Sequence, residues 1–445
     1  MQWYADVGPV PQHIAGLLHV GPTTLTATQL AEHLERRLTP MRSLHRYPMT
    51  PRVGAGGPVW LADDGPVRDH ISVEHLVGSA DPLILARATT LITRRFGAGR
   101  APWSAHVLTG SDDAPIAVLL VMHHVLADGR TGNQLIMALT NPDEPAVQHA
   151  ASSGRAPDAP STMPSWSALA RDAWAVRLRH LRSAPSAARA LRPALRELGI
   201  GRGKVAPRTA LNRPTGPQRR YAAVTLAEMP LRAAARTAAG SLNDAVLAVV
   251  ADVLAEHAGR LREDLDPVVV SVPVAPRRRS TERRDEGSDT NTVGLMPTPV
   301  ATRGPLRERI GAVAEWRHAR LDREGAGASL PLVIAAFRVV HALHLVRWYS
   351  DHQRLVTTFA TTIRGPAQPV TLAGCPVSRI TPLVVNQGNT TIAFASITYA
   401  GQLTISIVAD PASGPDPDAV ARRLRERLLQ LLPPDGDQTG QGAAT

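Results

Sequence analysis

His123 and His124, followed by Asp128 and Gly129, are the residues of this 445-residue chain whose types and spacing best suit chemistry. They come directly after the apolar run 116–120 and the pair Val121-Met122. An apolar run without polar alternation is the pattern of a strand buried on both faces. The two imidazoles therefore stand at a strand mouth. Imidazole titrates near neutrality, which suits it to proton abstraction. Successive residues of an extended chain point to opposite faces, so one of the two is the base. We assign that role to His124, nearer the turn, and read His123 as a neighbouring support. Asp128 can accept a hydrogen bond in the turn or pair with an arginine, fixing the loop. Gly129 permits backbone conformations that a side chain would hinder.

No nucleophile accompanies the base. There is no Gly-x-Ser-x-Gly elbow, and the single cysteine, Cys375, is remote in sequence. A base alone fits an acyl group that arrives already activated as a thioester. The base deprotonates an alcohol or amine, which attacks directly. The oxyanion then draws on backbone N–H groups or an amide side chain.

The elements that must position this turn are legible around it. Thr26-Ala27-Thr28-Gln29 reads as a capping box, with Leu30, Leu34 and Leu38 at helical spacing ahead of Pro40. Val59-Trp60-Leu61 reads as a short strand, 81–96 as a helix stopped by Gly97, and 133–139 as the helix after the histidines. Residues 1–140 thus form one mixed α/β unit. Residues 141–208 read as a linker and a crossover of two or three short basic helices carrying Arg171, Arg177, Arg179, Arg182, Arg189, Arg192 and Arg196. The crossover suits either solvent or contact with a membrane surface or carrier protein.

A second unit spans 209–434. Ser241 or Asn243 can cap an apolar helix. Residues 268–273 read as a strand ended by Pro273. Residues 330–349 read as an apolar helix with His341 and His344 in structural roles, since no carboxylate or cysteine pattern supports a metal. Residues 390–398 and 402–409 form a hairpin around Ala400-Gly401, and 418–432 a closing helix. The basic stretch 276–284 reads as an exposed loop, with a phosphate clamp as its functional alternative. Residues 435–445 read as a disordered tail.

Composition limits the partners. Net charge is +11, yet Lys204 is the only lysine among 49 basic residues and aromatics make up 4%. Arginine, Ala, Gly and Pro in this balance fit a coding bias better than a basic patch, and few rings are available to stack bases. Nucleic acid is therefore not the expected partner. One cysteine excludes a disulfide framework. No secretory signal pattern opens the chain, and no apolar run reaches about 18 residues. The expected compartment is the cytoplasm, with peripheral contact to a lipid surface as an option.

The histidine motif resembles the active-site motif of the chloramphenicol acetyltransferase-like superfamily, which includes peptide-synthetase condensation domains. Further blocks resemble one branch of it, the wax ester synthase/diacylglycerol acyltransferases. They are Leu211-Asn212-Arg213-Pro214 with Arg219-Arg220-Tyr221, the helix starting Ser241-Leu242-Asn243-Asp244, and Val272-Pro273-Val274. Asn291-Thr292-Val293, Thr361-Thr362-Ile363-Arg364-Gly365-Pro366, and the hairpin 396–403 with Asp410 complete the set. They occur in family order. Departures lie in 97–104, in the leader 1–21, and at Thr361-Thr362, where the family has Ser-Asn.

The resemblance implies an α/β fold of two chloramphenicol acetyltransferase-like subdomains, each a mixed sheet flanked by helices, around a central tunnel. It implies acyl-CoA as co-substrate with no bound cofactor or metal, and a hydroxyl acceptor of the long-chain alcohol or diacylglycerol type. It places His124, His123 and Asp128 in catalysis, Gly129 in support of the turn, and Asn243, Asp244, Thr361 and Thr362 in the substrate or oxyanion region. The rival enzyme is a biosynthetic acyltransferase or free-standing condensation enzyme taking its acyl group from a carrier protein, with a specialised alcohol or amine acceptor. A non-catalytic lipid-binding scaffold is the rival from another class.

Overall fold

The apolar strand that ends in the histidines lies inside a six-stranded sheet. The computed structural model describes Trp3 and residues 6–52, 54–110, 112–126, 129–140, 159–182, 206–274, 294–324, 337, 340–341 and 343–433. Asp128, the linker 141–158, most of the basic crossover, the loop 276–284, the block 291–293, most of 330–342 and the tail 435–445 lie outside the described residues.

The first half contributes β1 (His13–Val20), β2 (Arg46–Met49), β3 (Val59–Ala62), β4 (Ile71–His75), β5 (Trp103–Thr109) and β6 (Pro115–His123). Its helices are α1 (Ala27–Leu38), α2 (Asp81–Thr93) and α3 (Gly129–Thr140), and α4 (Trp166–Arg182) follows. The second half contributes β7 (Arg220–Ala227), α5 (Glu228–Thr237), α6 (Leu242–Arg260), β8 (Val268–Val274), β9 (Gly294–Val300) and α7 (Leu306–Glu324). Then come α8 (Val346–His352), β10 (Thr358–Arg364), β11 (Thr371–Leu372), β12 (Cys375–Val384), β13 (Ile392–Tyr399), β14 (Gln402–Ala409) and α9 (Pro417–Leu429).

The first sheet runs β11-β12-β1-β6-β5-β4, and the second β7-β14-β13-β10-β8-β9. This is the mixed α/β architecture of two sheets with flanking helices. The strands β11 and β12 depart from the contiguous division at 209. They come from the second half yet complete the first sheet, where β12 pairs antiparallel with β1. Their physical role is to cover the edge that β1 would otherwise expose.

Both faces of the first sheet are covered. Leu18, Val118 and Leu120 pack with Leu30, Leu34 and Leu38 of α1 and with Leu135, Ile136 and Leu139 of α3. Leu17, Leu119 and Val121 pack on the other face with Ile84, Ala88, Leu91 and Ile92 of α2. This double burial explains the missing alternation in β6. The capping box of α1 forms as expected: Gln29 N–H donates to Thr26 Oγ1 at 3.2 Å and Thr26 N–H to Gln29 Oε1 at 3.0 Å. Each leucine buried along that stripe contributes roughly 1.5–3 kcal/mol.

Several boundaries differ from expectation for physical reasons. α3 begins at Gly129 rather than 133, so the helix leaves the histidine turn directly. β8 continues through Pro273, where a missing N–H is tolerated because β10 pairs with β8 only at Val270 and Ser271. No single helix spans 330–349. His344 takes a left-handed φ of 57°, which breaks the run before α8, so His341 and His344 do not share one helical face. The hairpin β13–β14 turns at Ala400 and Gly401, both left-handed, as a two-residue turn of this kind requires. Among the described residues no single helix is long and apolar enough to cross a membrane.

The loop between β12 and β13 is fastened to two other segments of the second half. Thr215 N–H donates to the Gly388 carbonyl at 2.9 Å, and Asn389 N–H to the Ser350 carbonyl at 3.0 Å. Gly388 has φ +61°, and a Cβ there would lie 2.5 Å from the Ser350 carbonyl oxygen. Gly388→Ala is expected to destabilise the protein by about 2–4 kcal/mol through strain and overpacking, read as a lowered chemical-denaturation midpoint. An unchanged midpoint would contradict this close approach.

Candidate active site

β6 ends at His123, and 124–126 form the turn that follows. His123 is buried, with 2% of its surface exposed, whereas His124 is half-buried. The two rings thus have different surroundings, His123 in the strand and His124 in the turn. Both ring nitrogens of His123 are occupied. Val125 N–H donates to Nδ1 at 3.0 Å, and Nε2 faces Asp6 Oδ2 at 3.4 Å. The proton therefore sits on Nε2, and the ring holds its own turn by accepting the backbone N–H two residues on. His124 is anchored by its backbone, whose N–H donates to the Gln12 carbonyl at 2.8 Å. Asp128 is outside the described residues; Gly129 opens α3.

Two participants, Asp6 and Arg95, were missed by sequence reasoning. Asp6 accepts from Arg95 Nη1 at 2.9 Å and from Gln12 N–H at 3.2 Å, besides facing His123. Arg95 Nη2 also donates to the Gly8 carbonyl at 2.7 Å. Burial of the Asp6 carboxyl opposes its ionisation, but the His123 contact and the Arg95 charge prevail and hold it below the usual carboxylate range. The sequence signal was slight: a lone acid seven residues ahead of a strand. Only the pairing of His13 with His123 in the sheet brings that leader to the turn.

A second cluster lies on α6, β10 and β13. Thr362 Oγ1 donates to Asn243 Oδ1 at 2.6 Å, and Ser396 Oγ donates to Thr362 Oγ1 at 3.0 Å. The hydroxyl chain fixes the amide so that its N–H donors turn away from Thr362. Thr361 is adjacent on the same strand, and its carbonyl, 3.3 Å from Ser396 Oγ, is the alternative acceptor for that one proton. Asp244 does different work. It is buried in the helix cap, accepting from Ser241 N–H at 2.9 Å and Ser241 Oγ at 2.6 Å, and it pairs with Arg317. Its oxygens are committed to the start of α6 rather than offered to a substrate. α3, which leaves the histidine turn, packs against β10, the strand of Thr361 and Thr362. A cavity of about 540 Å³ opens at the far end of α3, lined by His33, Arg36, Arg37, Thr140 and Thr371 among others. The helix has 12 residues, so that cavity lies about 18 Å along it from the turn.

Comparison with known proteins shows the family and agrees with the fold. The sequence model for the wax ester synthase/diacylglycerol acyltransferase catalytic domain matches residues 1–246, and that for the family's C-terminal domain matches 291–432. A putative diacylglycerol O-acyltransferase of Mycobacterium bovis is 28% identical over 453 residues, covering 96% of this chain and 89% of that protein. Among solved structures, the wax ester synthase/diacylglycerol acyltransferase of Marinobacter aquaeolei VT8 superposes with a TM-score of 0.67 at 17% identity, covering 97% of each chain. A starter condensation domain of rhizomide synthetase, solved with C8-CoA, superposes at 0.56 with 16% identity, covering 96% of this chain and 91% of that one.

The site region also sets an acid limit. His13 packs against His123 with ring centroids 5.6 Å apart, and its Nδ1 donates to the Ile92 carbonyl at 2.8 Å. Burial, the largest cause, pushes His13, His19 and His106 each down to about 4. An unfolded histidine titrates near 6.5. Between these values the unfolded chain binds more protons, so the stabilising contribution is full above pH 6.5 and is lost as pH falls toward 4. Tm measured from pH 7.5 to 4.5 should fall across that window, with a shallower slope in His13→Gln. A flat profile would refute neutral burial of these rings.

Proposed function

The chain belongs to the wax ester synthase/diacylglycerol acyltransferase family and is an O-acyltransferase that forms esters; from this we propose that it transfers the acyl group of an acyl-CoA to a hydroxyl acceptor by direct general-base-assisted attack. The observation that carries the reading is the division between the two histidines. His123 is committed through both ring nitrogens to holding the turn, so proton transfer falls to the half-buried His124.

His124 takes the proton of the acceptor hydroxyl while its oxygen attacks the thioester carbon. The new C–O bond creates a tetrahedral oxyanion. Its collapse breaks the C–S bond, and the leaving thiolate takes the proton back from the imidazolium. The products are an ester and free CoA, with no resident metal or cofactor required by this chemistry. Asn243, oriented by Thr362 and Ser396, is our candidate amide donor to the oxyanion or acceptor. Thr361 belongs to the same wall, and Gly129 opens the helix that follows the turn.

Support for the CoA donor comes from the C8-CoA held by the condensation domain of like fold, and for a diacylglycerol-type acceptor from the mycobacterial relatives' names. Such an acceptor resides in lipid. α4 exposes Trp166, Trp174 and Leu178, with Arg177 5.3 Å over the Trp174 ring, a composition suited to a lipid surface.

The test offers the purified chain CoA thioesters and carrier-protein thioesters, each with alcohols, diacylglycerol and amines, and identifies products by mass spectrometry. Ester formed from acyl-CoA is the expected result. Products formed only from carrier-protein donors, or only amides, would replace this reading with that of a condensation enzyme. His124→Ala should retain its circular dichroism spectrum and lose about 100- to 10,000-fold in turnover. Wild-type turnover in that variant would remove the base assignment. Asn243→Ala should lower kcat by about 100-fold, and an unchanged kcat would exclude it from the oxyanion site.

A further inference from the structure

The amino-terminal leader reaches both histidines of the turn. Gln12 holds the His124 backbone through its carbonyl, and its own N–H donates to Asp6, which faces the His123 ring. Trp3 packs over that ring at 5.4 Å between centroids, and His13 meets it edge-on from another side. Arg95, at the end of α2, ties the Asp6 carboxylate and the Gly8 carbonyl together. The leader is also fastened to the loop after β12. Gln12 Nε2 donates to Gln387 Oε1 at 2.8 Å, and Gln387 Nε2 to the Val10 carbonyl at 3.0 Å.

We propose that Asp6, balanced by Arg95, is a positioning residue of the acyl-transfer site, holding His123 as its Nε2–H tautomer and through it the turn that presents His124. Both ends of the His123 ring enforce this state. A proton on Nδ1 would face the Val125 N–H and leave that part-buried donor without its acceptor. A bare Nε2 would face the carboxylate with no hydrogen between them. Remove Asp6, and one end of the ring is released. The ring can then rotate, Val125 loses its acceptor, and the turn no longer holds His124 in one place. The contact at 3.4 Å is long for a hydrogen bond, so the charge of the carboxylate carries more of the effect than a short bond would. The logic is that of a buried acid that fixes the tautomer and direction of a histidine without itself taking the proton. Here the histidine so fixed is the neighbour of the base rather than the base.

The proposal rests on the acyl-transfer reading only for its kinetic arm. Full-length Asp6→Ala and Asp6→Asn are compared with wild type in kcat, KM, Tm and the ¹⁵N imidazole spectrum, with His123 assigned through His123→Gln. Asp6→Ala should lower kcat by about 10-fold or more with KM held within about twofold. The His123 signal should move from the Nε2–H pattern toward a mixture of tautomers. Asp6→Asn keeps an acceptor oxygen and should recover part of both losses. Wild-type kcat in Asp6→Ala, or an unaltered His123 spectrum, would overturn the proposal. So would a kcat loss that merely follows Tm and that Asn fails to relieve. If wild type itself transfers no acyl group, the spectrum alone decides: a tautomer shift in Asp6→Ala supports the clamp, and none refutes it.

Discussion

The antiparallel pairing of β1 with β6, which sets His13 opposite His123, is the constraint on which the rest of the site depends. It places the leader, which runs directly into β1, against the end of β6. Asp6 and Gln12 then meet the histidine turn, where Arg95 and Gln387 fasten the leader. The same strand β1 receives β12 on its other edge, so one central strand joins the leader, the turn and the return from the second half. An edge left open there would cost ladder hydrogen bonds and invite pairing with another chain.

The second half is organised by the burial of α6. Val246, Val249 and Val250 are almost wholly enclosed, and the helix start is secured by Ser241, Asp244 and Arg317. This rigidity gives Asn243 a defined position on the first turn, one residue before a carboxylate that faces into the cap. Neighbouring residues in a helix point about 100° apart, so Asn243 and Asp244 serve different surroundings. Thr362 and Ser396, facing each other on paired parallel strands, finish the alignment of the amide.

Much of this was legible in the chain. The capping box at Thr26, the cap at Ser241 and the Ala400-Gly401 hairpin are short-range patterns, each satisfied by residues within a few positions of one another, and the histidine motif was legible by its spacing. Asp244, placed with Asn243 in the substrate or oxyanion region by resemblance, serves the helix cap and pairs with Arg317, a division that spacing in sequence does not reveal. The helix expected over 330–349 failed at His344, whose left-handed backbone interrupts the run despite its apolar content. Asp6 and Arg95, 89 residues apart, left no local pattern at all.

By itself the sequence determined the histidine turn, the absence of an elbow nucleophile and most element types, because these rest on periodicity and near-neighbour chemistry, and it pointed to the family through the resemblance of motif blocks in family order. The tertiary structure alone decided which histidine is enclosed, that the leader clamps it, that β12 completes the first sheet, and that Thr362 and Ser396 orient Asn243. Each of these depends on strand register and on contacts across long stretches of chain, where burial and hydrogen-bond satisfaction choose the partner.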